Sequence, residues 1–168
     1  MQPNMNDHIS RLELGMDVAR LYMRRATCLR RHVGAILMRD KRIIASGYNG
    51  SLKGQPHCTP DTCNDSGPCP NTVHAEANII AFCARHGIPT EGTIMMVTAS
   101  PCEVCAKSIV QAGVEMVIYD DEFRDSRGMQ ILKAAGILLY KYTPELKINW
   151  ERPYNALRQE DLQDLERR

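Results

Sequence analysis

Residues 93–141 read TIMMVTASPCEVCAKSIVQAGVEMVIYDDEFRDSRGMQILKAAGILLYK, and the fold turns on how they divide. TIMMVTA (93–99) is a short apolar run of the kind a buried strand carries. CEVCAKSIVQAG (102–113) is helix-prone and is closed by Gly113. EMVIYD (115–120) returns to strand, SRGMQILKAAG (126–136) to helix, and ILLYKY (137–142) to strand. Strands that alternate with helices build a central sheet with helices packed on it.

Working outward, NTVHAEANIIAFCARHG (71–87) is an apolar helix ending near Gly87, with Ile79, Ile80 and Phe82 expected in the core. Before it, NGSLKGQPHCTPDTCNDSGPCPN (49–71) is dense in Gly, Pro, Asn, Asp and Ser, which marks a long loop. Loops of that length in a compact domain are usually functional or held by a metal. VGAILM (33–38), the turn RDKR and IIASGY (43–48) predict a β-hairpin. HISRLELGMDVARLYMRRAT (8–27) sets Leu12, Met16, Val18, Ala19 and Met23 at helical spacing. The order predicts an α/β layer fold with helices on both faces of the sheet. The expected organisation is one domain over 1–168. Its core covers about 8–142, and 143–168 form a C-terminal extension with a short helix and Leu157, Leu162 and Leu165 as its apolar points.

A chain of 168 residues fits one domain, and 43% hydrophobic content is that of a globular protein. A net charge of +1 lacks the basic excess that gripping long nucleic acid requires. No apolar run approaches the roughly 20 residues that span a bilayer. The first residues, MQPNMNDHISRLEL, lack a signal-peptide layout, so the expected compartment is the cytoplasm. Seven cysteines are many for a reducing compartment, and the odd number argues against a fully paired disulfide framework.

The chemistry concentrates in two short stretches. Cys102 and Cys105 sit three apart after Pro101, at the start of a helix whose N-terminal dipole favours thiolates. Two such thiolates suit zinc, but also a redox pair or two core cysteines. His74 opens another helix and supplies the usual third ligand. Three protein ligands leave the fourth tetrahedral position to water, as catalytic zinc requires. Zinc lowers the pKa of water from about 15.7 to about 7, so Glu76 can take the remaining proton and pass it to a substrate nitrogen. Taken singly, Glu76 is equally a helix N-terminal acid and His74 a hydrogen-bonded core histidine.

The combination H-x-E (His74, Glu76) with P-C-x-x-C (Pro101 to Cys105) is the signature of zinc-dependent nucleobase deaminases. With it stand TCLRRHVGAILMRDKRIIASGYNGS, HCTPDTC, TVHAEANII, VTASPCEVCAKSIVQAGVEMVIY and AAGILLY. On these residues the chain resembles the cytidine and deoxycytidylate deaminase superfamily, and within it the dCMP deaminases of bacterial and phage type. The resemblance covers about residues 10–141. It implies a cytidine-deaminase-like three-layer α/β/α fold with a mixed five-stranded sheet. It implies a catalytic Zn2+ on His74, Cys102 and Cys105, with Glu76 shuttling protons. The implied reaction is hydrolysis at C4 of the cytosine ring, giving dUMP and ammonia.

The same resemblance implies substrate contacts. Asn49 of GYNG stands where an asparagine meets the sugar, although Asn-Gly is also a strong turn dipeptide. The backbone near Ala75 and Ser100 is expected at the pyrimidine edge. Arg30 is expected at the 5′-phosphate, which suits a guanidinium fork. Arg31 beside it reads as a second phosphate partner or a solvated surface arginine, and Tyr119 as either pocket or the end of a core strand. Cys28, Cys58, Cys63 and Cys69 are expected to hold a second, structural zinc, with His57 or His32 as substitutes and free thiols as the alternative. Cys83 is expected in the core. The family implies a homo-oligomer, a hexamer, with dCTP and dTTP as effectors near Gly50, Lys53 and Gly54. Competing expectations are deamination of dCTP, of a nucleoside, of guanine or of a tRNA base. A zinc-stabilised nucleotide-binding protein without turnover is a further one.

Overall fold

A computed structural model describes residues 8–63, 69–148 and 150. Helix α1 (Arg11–Met23) is followed by strands β1 (Gly34–Arg39), β2 (Arg42–Tyr48), β3 (Gly50–Ser51) and β4 (Thr72–Val73). Then come α2 (Ala75–His86), β5 (Thr93–Ala99), α3 (Glu103–Gln111), β6 (Val114–Asp121), α4 (Arg127–Ala134) and β7 (Leu138–Lys141). The main sheet has five strands in the order β2-β1-β5-β6-β7. The β1–β2 and β1–β5 pairs are antiparallel, whereas β5–β6 and β6–β7 are parallel, so the sheet is mixed as expected.

Side chains alternate across this sheet and fill two cores. Ala35, Leu37, Met95, Val97 and Val117 pack toward Ile79 of α2, Ile109 of α3 and Leu132 of α4. Ile36, Met38, Met96 and Ile118 point the other way, onto Leu12, Met16 and Ala19 of α1. Among the described residues, one helix therefore covers one face and three cover the other, which makes the three layers. Parallel strands buried on both faces read as continuous apolar runs, and TIMMVTA is one.

Helix α1 is shorter at both ends than its amphipathic stretch. Ser10 stops it by accepting from the Glu13 N–H at 3.0 Å, and the Glu13 carboxylate reaches back to the Ser10 N–H. That is a capping box, worth about 1 kcal/mol. Phe82, expected in the core, is 45% exposed and stacks on His86 at 4.4 Å. It lies off the α2 face that carries Ala75, Ile79 and Cys83 into the core. Cys83 is fully buried as expected. The tail leucines and the C-terminal helix expectation lie outside the described residues.

Candidate metal centre and catalytic site

Strand β5 ends at Ala99, and the chain turns through Ser100 and Pro101 into α3. Cys102 is the N-cap of α3, in extended backbone, with no side-chain capping bond. His74 occupies the same position on α2, again extended and with its side chain uncommitted to the cap. Both residues thus leave their helices at the start and turn toward one another. His74 Nδ1 lies 3.4 Å from the Sγ of Cys102 and 3.4 Å from the Sγ of Cys105. All three ligand atoms fall within 4.8 Å of one another. Tetrahedral zinc, with bonds of about 2.3 Å to sulfur and about 2.0 Å to nitrogen, sets nitrogen and sulfur about 3.5 Å apart. The donors therefore fit zinc in type and in spacing.

The protons of this cluster are shared unequally. The Cys102 thiol is pulled down to about 4, first by a hydrogen bond with Cys105 and then by His74. Cys105 is pushed far up, first by the same bond with Cys102 and then by burial. His74 is raised, chiefly by its hydrogen bond to Cys102. A divalent cation held by the three donors would take the place of these shared protons.

Glu76 lies in the first turn of α2 and is only 4% exposed. Burial raises its carboxyl pKa above the ordinary value, and it hydrogen bonds with Cys105. Helical spacing alone separates residues two apart, but His74 is an extended cap, and so Glu76 shares its site. Glu76 stands outside the three-ligand group. A carboxylate that burial inclines to hold a proton is what acid–base work near neutral pH needs.

The other expected residues divide. Asn49 is 5% exposed; its Oδ1 accepts from the Val33 N–H at 2.7 Å, and its Nδ2 donates to the Arg31 carbonyl at 2.7 Å. It clamps the loop that carries Arg31. The Asn-Gly turn does not form: Asn49 lies between two strands, and Gly50 runs on into β3 against Thr27. Ala75 is fully buried and Ser100 4% exposed. Ser100 donates its N–H to the Asp121 carbonyl and accepts at Oγ from the Phe123 N–H at 2.7 Å. Tyr119 is 7% exposed in the core beneath α2, α3 and α4, where burial raises its phenol. Arg30 is exposed and electrostatically close to Cys69. Lys53 and Gly54 form an exposed turn, with Gly54 at φ +82°.

Cys28, Cys58, Cys63 and Cys69 do not come together as a ligand set. Among the described residues, His74, Cys102 and Cys105 form the one group of metal-ligating side chains. Cys28 is buried and sits close enough to His74 to influence it, whereas the three loop cysteines are partly exposed. Loop residues 64–68 between Cys63 and Cys69 lie outside the described residues.

Sequence reasoning missed Phe123. It follows β6, is tied to Ser100, and has Arg31 at 5.4 Å and Arg124 at 6.0 Å from its ring. An aromatic flanked by charge in DDEFRD, directly after a buried strand, was the available signal.

Three candidate ligands, one fewer than a closed structural zinc set, with a buried carboxylate alongside, fit a centre for metal-assisted hydrolysis on an α/β/α frame. Residues 9–120 match the family described as the cytidine and deoxycytidylate deaminase zinc-binding region. The chain belongs to that family. It is 40% identical over 135 residues to the ComE operon protein 2 of Bacillus subtilis (strain 168), covering 78% of this chain and 70% of the relative. It is 30% identical over 177 residues to the deoxycytidylate deaminase of Enterobacteria phage T2, covering 81% and 93%. The crystal structure of dCMP deaminase from the cyanophage S-TIM5, in complex with dCMP and dUMP, is similar with a TM-score of 0.72 and 32% identity. That match covers 83% of this chain and 100% of the other. Among the described residues, no helix is long and apolar enough to cross a membrane.

Proposed function

We propose that the chain deaminates dCMP hydrolytically, water replacing the amino group at C4 to give dUMP and ammonia, and so feeds dTMP supply. The observation that carries this is His74 Nδ1 at 3.4 Å from both cysteine sulfurs with buried Glu76 beside them. His74, Cys102 and Cys105 hold the zinc. Zinc bound there supplies Lewis acidity that lowers the pKa of a water toward about 7. Glu76 relays the two protons that the attacking water gives up, one to ring nitrogen N3 as C4 becomes tetrahedral and one to the amino nitrogen that departs as ammonia while the C4 carbonyl forms. The tight packing of Ala75 and Ser100 fixes the backbone that meets the pyrimidine edge. Asn49 holds the loop beside the sugar, and Arg30 pairs with the 5′-phosphate.

The family relationship supports a homo-oligomer, with hexamers as the expected form and dCTP and dTTP as effectors near Gly50 of β3 and the exposed Lys53–Gly54 turn. The resemblance also carries the proposal of a second zinc on the cysteine-bearing loop, whose described thiols form no group of three ligands until a metal gathers them. The test is ammonia release from dCMP, dCTP, cytidine and a tRNA stem-loop by the purified protein, with and without a chelator. Turnover greatest with dCMP and abolished by the chelator is expected. A preference for dCTP, nucleoside or tRNA redirects the assignment.

A further inference from the structure

Cys102 is held by more than its own helix. Glycine 128, in the first turn of α4, lies against the backbone of Pro101 and Cys102. A Cβ at that position stands 2.0 Å from the Pro101 carbonyl oxygen, 2.7 Å from the Cys102 carbonyl carbon and 2.8 Å from its oxygen. Real Cβ contacts stay above 3.0 Å, and backbone atoms do not swing aside as a side-chain tip does. Gly128 is buried, so the added carbon cannot be relieved into solvent. The same turn is tied to α3 from outside. Arg127 pairs at 3.0 Å with Glu103, the residue directly after Cys102, and at 2.6 Å with Asp125.

We propose that the first turn of α4, seated by the missing side chain of Gly128 and tied by Arg127, is the buttress that positions Cys102 as a metal ligand. Gly128 brings no side chain to the site and meets Cys102 through its backbone, so it acts as a positioning residue. The proposal rests on the assignment of His74, Cys102 and Cys105 as zinc ligands. Gly128→Ala requires α4 and the 101–102 backbone to separate by about 1 Å, a displacement large for a bond of about 2.3 Å between zinc and sulfur. Groups that orient metal ligands cost about 10–100-fold in affinity when changed.

The experiment compares wild type, Gly128→Ala, Arg127→Ala and Gly136→Ala, each folded by far-UV circular dichroism. Zinc affinity is read by competition with a chromophoric chelator. The thiolate-to-metal and d–d absorption bands are read after cobalt substitution. Gly136 lies just past the other end of α4, at φ +75° with open space around it. Its alanine variant strains the backbone without touching Cys102, and so reports on general destabilisation. Gly128→Ala is expected to lose about 10–100-fold in zinc affinity, with weakened or shifted cobalt bands. Arg127→Ala is expected to lose less in the same direction, and Gly136→Ala to match wild type. If Gly128→Ala fails to fold, Arg127→Ala decides alone. Unchanged affinity and bands in the folded α4-turn variants, or an equal loss in Gly136→Ala, overturns the buttress. Failure of wild type to bind either metal removes the zinc assignment instead.

Discussion

Replacing Glu76 by glutamine separates chemistry from metal binding. The side chain is 4% exposed, burial lifts its pKa, and it hydrogen bonds with Cys105 without belonging to the three-ligand group. Glutamine keeps its size but cannot take a proton from water. General acid–base groups contribute about 10²–10⁴ in rate, which is about 2.7–5.4 kcal/mol of barrier at about 1.36 kcal/mol per tenfold. Glu76→Gln is therefore expected to lower kcat for dCMP by about 10²–10⁴-fold while keeping the zinc content of wild type. The assay is ammonia release at saturating dCMP, paired with zinc quantification on the same preparation. A variant within tenfold of wild-type kcat refutes the proton-shuttle role. A variant that loses its zinc refutes the separation of Glu76 from the ligands.

Other perturbations reach the supporting structure. Asn49→Ala strips the Val33 N–H and the Arg31 carbonyl of their partners. Thermal or urea unfolding should show a loss of about 1–3 kcal/mol, along with a raised KM, because Arg31 packs on Phe123, which is hydrogen bonded to Ser100. Arg30→Ala should raise KM for dCMP about tenfold or more, the scale of a lost charged hydrogen bond, and leave deoxycytidine turnover unchanged; equal effects on both substrates remove the phosphate role. Tyr119 supplies a pH test. Its folded pKa is raised above 10.0 by burial. Its contribution to stability is fully present below the unfolded value and is lost as pH rises through the folded one. Tyr119→Phe should therefore resist unfolding better than wild type above about pH 10, with no such divergence growing in below it. Parallel stability curves across that window would remove the burial argument.

Much of the fold was legible because its parts obey short-range patterns. TIMMVTA and EMVIYD are buried on both sides, and each is followed by a helix-prone segment closed by glycine. The site ligands were legible because H-x-E and P-C-x-x-C put ligand chemistry at two helix starts. What escaped depends on tertiary context. The exposure of Phe82 follows from which face of α2 meets the sheet, and periodicity in a nearly all-apolar helix does not choose that face. Gly50 avoids the turn that its dipeptide favours because β3 and β4 pair and Thr27 closes over it. Phe123 and Gly128 matter through contacts with Ser100 and Cys102 across more than twenty residues of chain, which no local spacing encodes. Cys28, Cys58, Cys63 and Cys69 illustrate the same limit: composition grouped them, but among the described residues they form no metal-ligating cluster, and Cys28 lies close enough to His74 to influence it.

In the proposed function, dCMP deamination depends on a zinc held by His74, Cys102 and Cys105. The direct measurement is zinc per chain together with dCMP turnover on one preparation, before chelation, after it and after zinc is restored. At least one zinc per chain, conversion of dCMP to dUMP, loss of turnover with the metal and recovery when zinc returns are expected. Two zincs per chain would additionally support the loop site. Turnover that survives complete removal of zinc, or a zinc-loaded protein that leaves dCMP unchanged, would contradict the proposed function.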